Sequence, residues 1–280
     1  MKFKKLVLTG AAGRLGSYLR EPLSKMCDEL LSTDIAEEIG TLYPGESYAR
    51  ADLAKFDEIH PLLEGADMVV HFGAIVDEKP FEELLGPNFI GSYNIWEAGY
   101  QHGVRRIVYA SSIHAVGMHK KRDFIGTDAP HRPDTFYGLA KCFTEDLGSM
   151  YWDKRQMESV HLRILSAAQV NNARALGSWL SYDDLIHLVT RAIDTPSVGF
   201  TVIYGVSNND RAPVDNAKAA FLGYRPKDNA EQFAEAVLAD TPAADVTDPA
   251  EMLQGGPFAA VDLGQSGLAQ MTIVDDRKKT

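Results

Sequence analysis

Thr9-Gly10-Ala11-Ala12-Gly13-Arg14-Leu15-Gly16 is the stretch on which the reading of the fold turns. It follows the apolar run Leu6-Val7-Leu8 and opens a helical pattern from Leu15 to Met26, so it reads as the turn from a buried strand into a helix. Gly10, Gly13 and Gly16 let the backbone turn tightly and come close to a pyrophosphate. The first helical residues, Arg14 and Leu15, bring amide donors and the positive end of the helix dipole to the same place. By themselves the glycines also describe a tight turn with no ligand. Asp34, 18 positions beyond Gly16 where a second strand ends, gives them a context, because a carboxylate there accepts both ribose hydroxyls of NAD. The next residues, Ile35-Ala36-Glu37-Glu38, hold no arginine for a 2′-phosphate and two acids that repel one. The expected cofactor is NAD and not NADP.

Outward from this turn, short apolar runs alternate with helical patterns, the mark of a parallel sheet covered on both faces. Leu6 to Leu8, Glu29 to Leu31, Met68 to Val70 and Ile107 to Tyr109 read as strands. Leu15 to Met26, Phe56 to Leu63 and Asn88 to His102 carry apolar residues at helical spacing. A helix is expected from Tyr137 to about Met157, then a strand from Val160 to Ile164. Beyond it the alternation breaks down into a helix (Asp183 to Ile193), a strand (Phe200 to Tyr204), a helix near Val214 to Phe221 and an acidic stretch from Leu238 to Glu251. The expectation is an α/β protein, a doubly wound parallel sheet of Rossmann type with a small C-terminal substrate lobe. Residues 1–165 form the NAD-binding domain in this reading. Residues 166–280 complete the fold and form the lobe over the carboxyl edge of the sheet. Asp52 and Leu53 after the third strand, and Phe72, Gly73 and Ala74 after the fourth, fall where adenine and cofactor ribose are met.

Tyr137-Gly138-Leu139-Ala140-Lys141 puts a phenol and an ammonium four residues apart on one helix face. A free tyrosine is a poor base near neutrality, and a neighbouring cation favours its phenolate. Tyr137 then takes the proton of a substrate hydroxyl while hydride leaves the same carbon. Ser111-Ser112 follows the fifth strand, where the Ser112 hydroxyl can hold the substrate oxygen. Tyr-x-x-x-Lys alone recurs by chance in helices; Ser112 upstream and the glycine turn in register make the combination specific. Asn88 and Asn94 read as structural.

The chain of 280 residues, 45% hydrophobic, suffices for one large core or for a nucleotide-binding domain with an attached lobe. Its net charge of −11 repels phosphate backbones, so no nucleic-acid partner is expected. The run after the basic start, Met1 to Lys5, is too short for a signal-peptide core, and nothing reaches the roughly 18 apolar residues of a membrane span. Cys27 and Cys142 have neither metal-ligand nor disulfide-framework spacing. The expected location is the cytoplasm, with no metal and no membrane partner.

The glycine pattern, the serine pair and Tyr-x-x-x-Lys together resemble the extended short-chain dehydrogenase/reductase family. Within it the chain is similar, nearly end to end, to the uronate dehydrogenases. The runs that carry this are His71-Phe72-Gly73 with Glu78-Lys79-Pro80-Phe81, Ala110-Ser111-Ser112 with His114, Arg132-Pro133-Asp134, Lys141-Cys142-Phe143, Asn171-Asn172 with Arg174, Trp179-Leu180-Ser181 with Asp183-Asp184, and Phe221-Leu222-Gly223. The resemblance implies NAD-dependent oxidation of a hexuronate at C1 to the aldarolactone. It implies that Tyr137 is the base and Lys141 its partner, both also bordering the cofactor, and that Ser112, His114, Ser166 and Arg174 line the sugar. Arg174 would clamp the C6 carboxylate through paired charge-assisted bonds. It also implies a homo-oligomer, for which the apolar faces around Asn88 to His102 and Phe143 to Tyr151 offer a surface, although the same faces equally suit the core.

Two positions depart from that pattern. Val76 stands where the family has a sugar-contacting serine, and Ile113 where it has asparagine. Ala167 and Ala168 also replace more polar residues. At roughly 0.5 to 1.5 kcal/mol per lost hydrogen bond, the swaps cost one to two orders of magnitude in affinity for the usual hexuronate if both side chains meet it. The rival readings are an aldose or sugar-phosphate dehydrogenase with a retuned pocket, a sugar-nucleotide epimerase or dehydratase, and an NAD-binding regulator without turnover. The short region between Ser166 and Trp179 weighs against a nucleotide-sized pocket, and intact Ser112, Tyr137 and Lys141 weigh against the regulator.

Overall fold

Each short apolar run of the first half folds as a strand buried on both faces, as alternation with amphipathic helices requires. In the computed structural model, which describes residues 3–239, 241, 242 and 245–271, β1 (Phe3–Thr9) leads through α1 (Arg14–Ser24) to β2 (Cys27–Asp34) and β3 (Glu46–Arg50). α2 (Phe56–Ile59), β4 (Met68–His71), α3 (Phe81–Leu84), α4 (Gly91–Gln101) and β5 (Arg106–Tyr109) follow. Next come the two-residue β6 (Ile125–Gly126), α5 (Phe136–Arg155), β7 (Glu158–Ile164), α6 (Ala175–Ser178), α7 (Tyr182–Asp194), β8 (Phe200–Gly205) and β9 (Val214–Asp215). Among the described residues, seven strands form one parallel sheet in the order β3-β2-β1-β4-β5-β7-β8. The order reverses between β1 and β4, which opens a crevice at the carboxyl ends of the strands.

Alternation along β1 divides the core. Leu6 and Leu8 pack with Leu19 and Leu23 of α1 and with Leu185, Leu188 and Val189 of α7. Val7 packs on the opposite face with Ile95 and Trp96 of α4 and Leu147 and Tyr151 of α5. α7 shows how the sequence specifies its place. Ser181 caps it by accepting from the Asp184 amide, and its buried Leu185, Leu188, Val189 and Ala192 recur at three- and four-residue steps. Each fully buried leucine contributes about 1.5–3 kcal/mol.

Three elements differ from expectation. The helix read from Phe56 to Leu63 is α only to Ile59 and tightens into a 3-10 turn over His60–Leu63, where Pro61 brings no amide hydrogen. The Asn88 to His102 helix is regular from Gly91; before it, Leu85–Ile90 forms a wider π turn around Pro87. The helix read near Val214 to Phe221 is overturned. Val214–Asp215 pairs with Ile125–Gly126 as a short parallel ladder, and Ala217–Leu222 forms a 3-10 turn closed by Gly223 at φ 74°. β8 comes from the segment after residue 165, so that segment supplies an edge strand of the sheet. Asp240, Ala243 and Ala244 of the acidic stretch lie outside the described residues, as do residues 272–280.

Candidate active site

The glycine turn leaves no room for side chains. A Cβ on Gly10, whose φ is +73°, would lie 2.6 Å from the Gly73 nitrogen, and one on Gly16 would lie 2.0 Å from the Gly10 carbonyl oxygen. Three segments therefore meet as bare backbone where the sheet order reverses. Gly13 starts α1 and offers no side chain to its first-turn amides, which leaves Arg14, Leu15 and Gly16 suited to an anion. Asp34 is held at the end of β2 by the amides of Ala12 (2.9 Å) and Ala36 (3.2 Å) and stays partly exposed. These residues fit NAD. Arg50 is a feature the chain order hides. It is the register neighbour of Asp34 across β2 and β3, and it pairs with Glu37 at 3.1 Å. Phe72, Gly73 and Ala74 border the turn, partly exposed. The Gly73 amide donates to Thr9 Oγ1 (3.1 Å), which pairs with His71 Nδ1 (2.7 Å). Burial first, and Lys141 second, push His71 down to about 3, so its ring is neutral. The Leu53 side chain sits where a Gly73 Cβ would come within 2.8 Å, and Asp52 is turned back onto the Ala54 amide.

At the chemical end, α5 begins where Thr135 accepts from the Gly138 amide (3.0 Å). The fully buried Glu78 accepts from the amides of Phe136 (3.1 Å) and Tyr137 (2.8 Å), and from Gly264 far along the chain (2.8 Å). This carboxylate at the helix start fixes Tyr137, favoured there by the helix dipole. Ser112 is hydrogen-bonded to the Tyr137 phenol. Lys141 Nζ stands 5.2 Å from the Tyr137 ring centroid and donates to the Ala110 carbonyl at 2.7 Å. Burial pushes the phenol above its usual value, against the hydrogen bond from Ser112. The lowering of Tyr137 expected from Lys141 is outweighed by the burial of the phenol itself, and burial also drives Lys141 down to about 7, with Glu145 opposing.

The substrate side is assembled from distant segments. His114 Nδ1 meets Asp134 at 2.8 Å, and its ring stacks on Phe258 with centroids 4.1 Å apart. The Asp134 carboxylate accepts the Nδ1 hydrogen, which fixes the orientation of the ring. Arg174 donates from Nη2 to the Gln254 carbonyl (3.0 Å), lies against Gly256, and has a buried Nε with no hydrogen-bond partner among the described residues. Burial drives this guanidinium down to about 10, with Asp134 opposing. Ser166 is tied through its carbonyl to the Leu180 amide (2.8 Å) and is partly buried.

The two departures separate here. Val76 is 57% exposed, between Ile75, which packs in the Tyr137 cluster, and Asp77. Ile113 is wholly buried among Val116, Ile125, Leu165 and Tyr204. Its side chain lines no open surface, so the reading of Ile113 as a sugar contact is corrected: an apolar side chain suits this apolar cluster. Asn88 bonds both polar groups of Ile75, and Asn94 donates to the Leu53 carbonyl, both structural roles. Glu78 and Asp134 stand in runs that carry the resemblance but were given no role there, and Phe258 stands in none; only their contacts bring the three to the site.

Comparison with known proteins gives the family of the chain and several similar relatives. Residues 6–168 match the NAD dependent epimerase/dehydratase family. The chain is 46% identical over 259 residues to the uronate dehydrogenase of Pseudomonas putida, covering 92% of this chain and 96% of that one. The glucuronic acid dehydrogenase of Chromohalobacter salexigens superposes with a TM-score of 0.89 at 39% identity, over 92% of this chain and 97% of that one. A variant of the Agrobacterium tumefaciens uronate dehydrogenase, solved in complex with NAD, superposes with a TM-score of 0.88 at 40% identity, over 93% and 98%.

Proposed function

The chain belongs to the NAD dependent epimerase/dehydratase family, and from that premise we propose that it oxidises a hexuronate, a glucuronate- or galacturonate-like sugar acid, at C1 to the aldarolactone. The observation that carries the reading is the buried Nε of Arg174, which has no hydrogen-bond partner among the described residues, on a guanidinium that lies against Gly256 and is attracted by Asp134, the partner of His114. An unpaired buried guanidinium nitrogen is costly unless an anion completes it, and the C6 carboxylate is that anion.

In this reading Gly10, Gly13, Gly16 and Asp34 hold NAD, with Leu53 and Phe72 to Ala74 along its length. Bound NAD supplies the hydride acceptor. Tyr137 takes the proton of the C1 hydroxyl, and Ser112 holds the same oxygen by a hydrogen bond. Lys141, fixed on the Ala110 carbonyl, places its ammonium under the phenol. His114 meets a sugar hydroxyl, and Ser166 borders the ring. Val76 replaces one polar contact at the mouth, at a cost of about 0.5–1.5 kcal/mol.

Ile90, Tyr93, Leu139, Phe143 and Met150 are exposed on and just before α4 and on α5, which pack together. Pairing of two copies across this face makes the protein a homo-oligomer, readable as twice the chain mass or more by light scattering. Among the described residues no helix is long and apolar enough to cross a membrane. Both cysteines are buried, and the reducing cytoplasm is the location this reading expects.

The test is NADH formation by purified protein with NAD and glucuronate, galacturonate, glucose or glucose 6-phosphate. The reading expects a hexuronate to be best. A preference for glucose 6-phosphate would place a phosphate on Arg174 instead.

A further inference from the structure

One buried carboxylate beside the reacting groups takes no part in the chemistry above. Tyr137, Lys141 and Glu145 recur every fourth residue along one stripe of α5. Each grips one of three successive residues where the chain leaves β5. Tyr137 takes the Ser112 hydroxyl, Lys141 the Ala110 carbonyl at 2.7 Å, and Glu145 the Ser111 hydroxyl at 2.5 Å. The last contact is held from behind. Arg163 of β7 donates to both Glu145 oxygens (2.7 Å from Nη2, 3.0 Å from Nε), and His131 Nε2 meets Oε2 at 2.8 Å. The Glu145 side chain is 1% exposed and that of Arg163 3%. A carboxylate so buried holds its charge only because these donors are in place. Burial would raise it, and the bonds from His131 and Arg163 hold it down at about 2.

We propose that Glu145 is a positioning residue for the oxidation: through Ser111 it seats the Ala110–Ser112 segment against α5, and it sets its negative charge one helical turn beyond the Lys141 ammonium. A structural ion pair with Arg163 alone would need neither the serine contact nor the register with Lys141. The groups facing Glu145 are Arg163 and His161 from β7, Tyr109 from β5, Tyr204 from β8, His131 from the loop before α5, and Lys141 and Cys142 from α5 itself; the exposed Asp146 meets the other nitrogen of His131 at 3.5 Å. His131 is the partner nearest solvent, its side chain 26% exposed. The bond to Glu145 raises its titration above the usual histidine range, with burial opposing.

The inference rests on the proposed oxidation, so its test includes a readout that does not. In protein labelled with 13C-lysine, Lys141 is titrated by NMR in the wild type and in Glu145→Gln. Glu145 raises Lys141 against burial, so removing the charge should lower the Lys141 titration by about one pH unit. The high-pH limb of kcat should move down with it, while KM for the sugar changes less than about threefold. Glu145→Gln leaves Arg163 buried without its counter-charge and so lowers stability; Ser111→Ala keeps that pair and removes only the seat. Ser111→Ala should lower kcat about tenfold at near-constant KM, with Ser111→Thr restoring part of it. A folded Glu145→Gln with unchanged Lys141 titration, or Ser111→Ala with wild-type kcat, overturns the proposal. If the wild type oxidises no sugar, the functional reading falls, and the Lys141 titration still decides the role of Glu145.

Discussion

The two ends of the crevice are built by different means. The cofactor end is backbone: three glycines, a helix start and one carboxylate, all within the β1-α1-β2 unit. The substrate end is side chains from places far apart in sequence, with Arg174 against Gly256, His114 between Asp134 and Phe258, and Glu78 bonded to both Tyr137 and Gly264. The difference teaches that the first end tolerates almost no substitution at a few positions, whereas the second is adjustable, because each contact is a separate side chain that can change alone.

The sharpest break between the ends comes from removing the base. Tyr137→Phe should lower kcat by about 10²–10⁴-fold while NAD titrated by fluorescence binds as in the wild type. Equal losses in turnover and NAD binding would show the ends to be one structure. Arg174→Ala should come next. Loss of a charge-assisted contact of about 1.5–3 kcal/mol raises KM for a hexuronate by roughly 10- to 150-fold, and KM for a neutral sugar should hardly move. At the other end, Asp34→Ala should weaken NAD about tenfold and narrow the preference over NADP, because Arg50 is Asp34's register neighbour. An unchanged cofactor ratio would move the ribose contact elsewhere. The smallest effect separates the two departures. Val76→Ser should raise kcat/KM for hexuronates about threefold to tenfold. Ile113→Asn should give no such gain and should cost about 1–3 kcal/mol of stability in urea unfolding, since it buries an amide among apolar groups.

The same contrast explains what was legible in sequence. The glycine turn, Asp34 and the Tyr137–Lys141 step are local patterns whose spacing carries their meaning; the structure joins Asp34 to the glycine turn through the Ala12 amide and sets Tyr137 and Lys141 on the segment after β5. The strands were legible for the same reason, because burial on both faces writes short apolar runs. Val214 to Phe221 was not: a two-residue ladder is specified by its partner Ile125–Gly126, which no local period announces. Glu78, Asp134 and Phe258 act through contacts across long stretches of chain, so nothing near them marks their role. Ile113 misled for a related reason. Its position follows a catalytic serine, but its side chain turns into the cluster around Tyr204. The Tyr137–Lys141 spacing was legible; the upward displacement of Tyr137 by burial was not, because desolvation is a property of the packed site.

The central claim is that this crevice oxidises the C1 hydroxyl of a hexuronate, and following the carbon itself tests it most directly. Wild-type protein is incubated with NAD and glucuronate labelled with 13C at C1, and the label is read by NMR. The account predicts that the anomeric signals give way to a lactone carbonyl in step with NADH formation. Anomeric signals that persist unchanged while the folded protein binds NAD would contradict it.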